Sequence, residues 1–205
     1  MFTGIIQQLG TINQLTTQDA GLLLQVSHQF TDLNTGESIA INGVCLTVTH
    51  YNDRVVEFFL SSETLAVTTL SSLVIDQTVH LERALCVGDS VGGHWVSGHI
   101  DGQLIIKSIV PMGECVEMTW SGIPAHARQW LIPKGSIALN GVSLTINRIQ
   151  GDEVTAMLIP ETLKKTIFSA SLVGDLVNVE YDMMTKTTAH QVQQYLQAHI
   201  KQEIK

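Results

Sequence analysis

Two histidines, one cysteine and two near-identical turns are where this sequence can do chemistry. His94 and His99 sit in the stretch Gly92-Gly93-His94-Trp95-Val96-Ser97-Gly98-His99. Imidazole exchanges protons near neutral pH, and glycines let backbone approach a ligand closely or take up positive φ. Cys45 lies in Asn42-Gly43-Val44-Cys45-Leu46-Thr47, and Ser143 holds the matching place in Asn140-Gly141-Val142-Ser143-Leu144-Thr145. A thiol facing a hydroxyl in equivalent positions offers a nucleophile on one side and a hydrogen-bonding group on the other. Glu63-Thr64 and Glu161-Thr162 are a second duplicated set. They suit either the capping of a short helical turn or the holding of a hydroxyl-rich ligand. Plainer roles stand beside each of these. The glycine stretch can be a linker with satisfied histidines, and Cys45 a small buried apolar residue. Ser38, Thr47, Ser143 and Thr145 can serve as turn or cross-strand hydrogen-bonders. A zinc set of His94, His99 and a cysteine lacks the ligand spacing of zinc frameworks.

The elements that must position these groups are set by an internal repeat. Residues 38–49 read SIAINGVCLTVT and residues 136–147 read SIALNGVSLTIN, an offset of 98. The same offset relates Glu63-Thr64-Leu65 to Glu161-Thr162-Leu163, Val79 and Glu82 to Val177 and Glu180, and Gly4 to Gly102. Residue 99 then falls on Met1, which leaves Gly92–His99 without a counterpart. Each unit has a usual domain size and reads as β. Apolar residues alternate around Asn42-Gly43 and Asn140-Gly141, a dipeptide suited to tight hairpins. Further turn signals at residues 51–53 and 150–152 precede strands from Val55 and Val154, and Val79/Leu81 and Val177/Val179 mark a late strand. Short strands with regular turns favour closed barrels, because closure removes exposed edges. From Thr187 the β pattern is lost, and Val192, Tyr195, Leu196, His199 and Ile200 make one helical stripe. That stripe packs either on the chain's own barrels or on another copy; two complete barrels leave it little core to cover, which favours self-association. The expected division is a first barrel over 1–97, a second over 98–186 and a helix over 187–205.

Composition bounds the function. The 205 residues are 44% hydrophobic and 15% charged, a balance that excludes disorder. Eleven Lys and Arg against 19 Asp and Glu give a net charge of −8, which argues against nucleic acid and anionic membrane as partners. No apolar run nears the ~20 residues that cross a bilayer. The opening MFTGIIQ carries no basic leader, so no secretory signal is expected. Three cysteines with no C-x-x-C pair suggest free thiols in a reducing, cytoplasmic compartment.

Taken together, the motifs resemble the alpha-type riboflavin synthases. The resemblance rests on Met1-Phe2-Thr3-Gly4-Ile5, the paired Asn-Gly-Val-Cys/Ser-Leu-Thr segments, Gly92–His99, Ile159-Pro160-Glu161-Thr162 and the Val177–Asp182 strand end. It implies an all-β fold of two tandem, similar six-stranded Greek-key barrels with a C-terminal α-helix that builds a homotrimer. It also implies a reaction in which two molecules of 6,7-dimethyl-8-ribityllumazine exchange a four-carbon unit. The products are riboflavin and 5-amino-6-(D-ribitylamino)uracil, with no metal and no redox cofactor taking part. The site is expected between the N-terminal barrel of one subunit and the C-terminal barrel of its neighbour. Carried over by residue, His99, Cys45, Ser143 and His94 are the catalytic candidates. Phe2, Gly4, Ser38, Thr47, Glu63 and Thr64 join Cys45, His94 and His99 on the N-terminal barrel. Lys134, Thr145, Ile159, Glu161, Thr162 and Asp182 join Ser143 on the C-terminal barrel. Asn140 stands where some members carry Asp, so no carboxylate role transfers there. The competing class is a double barrel that binds lumazine or flavin without turning it over; the joint presence of His94, His99, Cys45 and Ser143 favours the enzyme.

Overall fold

The computed structural model describes residues 1–203, with side chains through His199. The first barrel is built from β1 (Gln8–Gln18), β2 (Gly21–Ser27), β3 (Ser38–Ile41), β4 (Val44–Tyr51), β5 (Val55–Ser61) and β6 (Thr78–Arg83). These antiparallel strands close in the order β1-β2-β5-β4-β3-β6. The second barrel repeats the order with β7 (Gly102–Met112), β8 (Cys115–Ser121), β9 (Ser136–Leu139), β10 (Val142–Gln150), β11 (Glu153–Leu158) and β12 (Leu176–Tyr181). A six-residue helix follows β5 and β11 alike: α1 (Ser62–Val67) and α2 (Pro160–Lys165).

Period-two alternation decides which residues enter each barrel. In β4, Val44, Leu46 and Val48 point inward and are buried, while Cys45, Thr47 and Thr49 point out. Matching bulges at Ile12/Gln14, Val48/His50, Ile106/Ser108 and Ile146/Arg148 bend the long strands so that the sheets can close. Phe58, Leu24 and Ile12 fill the first core; Trp120, Met118 and Phe168 fill the second, with Trp120 and Phe168 edge to face at 5.9 Å. A small third cluster of Phe2, Ala40, Val96 and Ala138 lies between the barrels.

The Asn-Gly turns have positive φ at both central residues, 46° and 82° in the first copy and 46° and 79° in the second. Glycine is required there twice over. A Cβ on Gly43 would lie 2.6 Å from the Gly141 nitrogen, and one on Gly141 would lie 2.7 Å from the Gly43 nitrogen. The two turns therefore abut back to back, on a pseudo-twofold axis between the copies.

Two expectations are corrected. The stretch before the second copy does have a counterpart before the first. Phe2-Thr3-Gly4 and Val96-Ser97-Gly98 make equivalent contacts, at an offset of 94 rather than 98, and Phe2 pairs with Val96 across the axis. Gly98, not Gly102, is thus the partner of Gly4. The β8–β9 connection is four residues longer than the β2–β3 connection and forms a 3-10 turn at Ala125–Trp130, which restores the offset of 98 downstream. The terminal helix α3 (Met183–Glu203) also begins four residues before Thr187, because the Asp182 carboxylate accepts from the Met184 N–H at 2.8 Å and caps it. Its first turn is docked: the Thr185 hydroxyl donates to the Trp130 carbonyl, and Lys186 lies over the Trp130 ring at 5.6 Å. Beyond that turn Val192, Tyr195, Leu196 and His199 are all exposed, so the stripe does not pack on the chain's own barrels; the side chain of Ile200 lies outside the described residues.

Candidate active site

The candidate groups sit on the outer face of each barrel, because the strand register puts them there. Ser38 pairs with Thr47 and Ala40 with Cys45 across β3 and β4, all on the outward side. In the second barrel Ser136 pairs with Thr145 and Ala138 with Ser143. Thr47 and Thr145 are exposed, so each cradle lies open to solvent. Lys134 precedes this row, in a left-handed turn at φ 68° whose N–H donates to Ile146.

Each cradle is completed by a short arm. The segment Phe2-Thr3-Gly4 is anchored on β6 by Glu82, whose carboxylate accepts from the Thr3 N–H at 2.7 Å, the Thr3 hydroxyl at 2.8 Å and the Gly4 N–H at 3.1 Å. The arm then passes to the other barrel, where the Gly4 carbonyl accepts from the Ser143 N–H at 2.8 Å. Val96-Ser97-Gly98 mirrors it. Glu180 on β12 accepts from the Ser97 N–H and hydroxyl at 2.6 Å each and from the Gly98 N–H at 2.8 Å. The Gly98 carbonyl in turn accepts from the Cys45 N–H at 2.9 Å. His99 follows Gly98 directly and is exposed.

His94 lands elsewhere. Its Nδ1 is 2.7 Å from the Ser143 Oγ, which puts it on the C-terminal cradle rather than with the N-terminal set. Burial pushes the His94 imidazole below its ordinary pKa, while the nearby Asp182 carboxylate pulls it back up. The neutral ring this favours can take or give a proton at the Ser143 hydroxyl. Asp182 is therefore both the cap of α3 and a charge beside His94. Phe2, at the head of the first arm, is fully buried between the barrels against Val96 and Gly98 of the second arm, which makes it a support for the site in this chain.

The other candidates have local partners. Ser61, not Glu63, caps α1: its hydroxyl accepts from the Thr64 N–H and lies 3.0 Å from the Thr64 hydroxyl. Ile159 occupies the cap position of α2 without a side-chain bond, ahead of Pro160. Glu161 pairs with Lys165 at 2.9 Å, and that lysine holds the Glu161 carboxyl below its usual range. Glu63, Thr64, Glu161 and Thr162 thus stand on the two short helices at the ends of β5 and β11. His94, His99 and a cysteine do not converge, and no group of three metal-ligating side chains gathers among the described residues.

Sequence reasoning missed four buried polar residues. On β6 and β12 both faces are buried, so His80, Glu82, Asn178 and Glu180 point away from their own barrels yet never meet solvent. His80 Nδ1 donates to the Asn140 carbonyl at 2.8 Å while Nε2 accepts from the Ile167 N–H at 2.8 Å. Asn178 does the same in the opposite direction, donating to the Asn42 carbonyl at 2.9 Å and accepting from the Thr69 N–H at 2.7 Å. Burial lowers the His80 pKa to about 4. The signal was present: polar residues in mid-strand, repeated at the same offset in both copies, are not solvent positions by chance.

The lumazine binding domain model matches residues 3–84 and 97–182, starting at Thr3 and Ser97, the two arms described above. Riboflavin synthase of Bacillus subtilis (strain 168) is 40% identical over 188 residues, 91% of this chain and 87% of that protein. The chain belongs to the riboflavin synthase family. Riboflavin synthase of Chlamydia pneumoniae is 39% identical over 96% of this chain and 97% of its own length. That of Schizosaccharomyces pombe is 35% identical over 100% of this chain and 98% of its own. Among solved structures, LumP complexed with 6,7-dimethyl-8-(1′-D-ribityl)lumazine has a TM-score of 0.77 at 25% identity, and covers 88% of this chain and 98% of its own. LumP complexed with riboflavin has a TM-score of 0.80 at 25% identity, covering 88% and 99%.

Proposed function

We propose that this chain carries out the riboflavin synthase reaction on two unequal cradles, one ribityllumazine on each. One molecule gives up a four-carbon unit and leaves as 5-amino-6-(D-ribitylamino)uracil; the other gains it and becomes riboflavin. The observation that carries this reading is the unequal furnishing of two otherwise equivalent cradles: Cys45 with His99 on one, Ser143 with His94 and Asp182 on the other. A symmetric binding module has no need of that difference, whereas donor and acceptor rings need different chemistry.

In this reading His99 takes a proton from a lumazine methyl group and passes it on toward the nitrogens of the departing ribitylaminouracil, with His94 supporting from the second cradle. Cys45 adds transiently to a ring or orients the hydroxyl that does so, and Ser143, held by His94, orients the second ring. Ser38, Thr47, Lys134, Thr145, Ile159 and the Glu-Thr pairs on α1 and α2 contact substrate. Phe2 and Gly4 act by carrying the arm. Each cradle is open, which supports completion of the site by another copy: the N-terminal barrel of one subunit against the C-terminal barrel of its neighbour in a homotrimer. The exposed stripe on α3 supplies the assembly contact. Holding two rings face to face makes the step effectively unimolecular, an effect worth up to ~7–11 kcal/mol. No described helix is long and apolar enough to cross a membrane, and the three unpaired cysteines favour a reducing compartment, the cytoplasm.

The test is incubation with 6,7-dimethyl-8-ribityllumazine as sole substrate. One riboflavin formed per two lumazines consumed is the expected result. Stoichiometric binding with no product would turn the reading to a LumP-like carrier.

A further inference from the structure

The arms make the two barrels depend on each other in a crossed sense. The outward row of the first barrel runs Cys45–Ala40–Glu82 across β4, β3 and β6, and that of the second runs Ser143–Ala138–Glu180 across β10, β9 and β12. By neighbourhood alone, Glu82 belongs with Cys45 and Glu180 with Ser143. The hydrogen bonds say otherwise. Glu82 fixes Thr3 and Gly4, and Gly4 holds the backbone of Ser143 in the second barrel. Glu180 fixes Ser97 and Gly98, and Gly98 holds the backbone of Cys45 in the first.

We infer that Glu82 and Glu180 are positioning residues of crossed effect, each setting the geometry of the cradle on the barrel it does not belong to. Both are 3% exposed, and each accepts three hydrogen bonds from two successive residues of an arm. A carboxylate held by three donors fixes both the position and the rotation of that arm. The downstream contacts are tight. A Cβ on Gly98 would fall 2.6 Å from the Cys45 Cβ, and one on Gly4 would fall 2.7 Å from the Ser143 Cβ. The arm therefore lies directly on the residue below it, and a shift of one moves the other. His99 is carried by the Glu180 arm, next after Gly98. His94 is held at the end of the Glu82 arm, since its N–H donates to the Thr3 carbonyl at 3.1 Å. Neither glutamate touches substrate; each acts through the arm.

The inference rests on the assignment of the two cradles, but its test needs no turnover. In the whole chain with the other two free cysteines, Cys86 and Cys115, replaced by alanine, the alkylation rate of Cys45 reports on the first cradle. The imidazole resonances of His99 and His94 report on the first and the second. Glu180→Gln is expected to change the Cys45 rate several-fold and to move the His99 resonances, leaving His94 in place. Glu82→Gln is expected to move the His94 resonances and leave the Cys45 rate as it was. Should a glutamine variant fail to fold, Ser97→Ala and Thr3→Val remove one hydroxyl from each anchor and are expected to show the same crossed pattern, weaker. Effects confined to the barrel that carries the mutation, equal effects on both cradles, or no effect on either would each overturn the inference. Lack of riboflavin formation by the unsubstituted chain would sink the functional reading and leave these readouts untouched.

Discussion

The two cradles share strands, turns and arms, yet differ at the positions where chemistry is expected. Cys45 stands where the second copy has Ser143, and Ile5, after the first arm, stands where His99 follows the second. His94 precedes the second arm alone and binds Ser143. The cross-strand pairs Ser38/Thr47 and Ser136/Thr145 are equivalent in type, so the shared part is the frame of each cradle. Under the proposed reading, the difference teaches that duplication kept the surface that holds a ligand and released the reactive positions to diverge. A second contrast runs through the interface: His80 on one side does what Asn178 does on the other.

Replacing the reactive groups should break the comparison most strongly. His99→Gln and Cys45→Ser should lower turnover by about 100-fold or more, the usual reach of proton transfer and nucleophilic groups, with lumazine affinity nearly unchanged. Steady-state kinetics with parallel binding titrations check this, and full turnover in both variants would remove the assignments. Gly141→Ala tests the frame instead. A Cβ there strikes Gly43 at a positive φ, so stability should fall by about 2–4 kcal/mol and Tm by roughly 5–15 °C, read by thermal unfolding.

The His80/Asn178 contrast predicts an acid limb of similar size. The folded-state pKa of His80 is lowered from 6.5 to about 4, so the unfolded chain binds the extra proton first as pH falls. Stability is full above 6.5 and is lost progressively toward pH 4, by on the order of 3 kcal/mol. Denaturant midpoints measured from pH 7.5 to 4.5 should show it, and His80→Asn, which copies the other side of the axis, should flatten the profile. The smallest effect belongs to Glu161→Gln. Its pair with Lys165 is exposed, so Tm should not change measurably, and any loss of activity would report on ligand contact rather than on folding.

Much of this was legible in the residues. Alternation around two Asn-Gly turns gave the hairpins, because that signal is local and periodic, and the offset of 98 shared by the later strands gave two like barrels. The helix start was misplaced, since Asp182 reads as the end of a strand until its carboxylate is seen capping Met184. The arms were misaligned because a four-residue insertion lies between them and the matched strands; side by side, FTGII and VSGHI share glycine, a hydroxyl residue and a final isoleucine. The roles of Glu82, Glu180 and His80 depend on partners 60 to 87 positions away, which no local pattern encodes.

Mixing two disabled chains tests most directly whether the unequal cradles work as a pair across subunits. Cys45→Ser and Ser143→Ala variants, each nearly inactive alone, are dissociated, combined in equal amounts and reassembled. If every site joins the N-terminal barrel of one copy to the C-terminal barrel of the next, random head-to-tail mixing restores about a quarter of the original turnover. Activity no greater than the average of the two parents would contradict a site shared between chains.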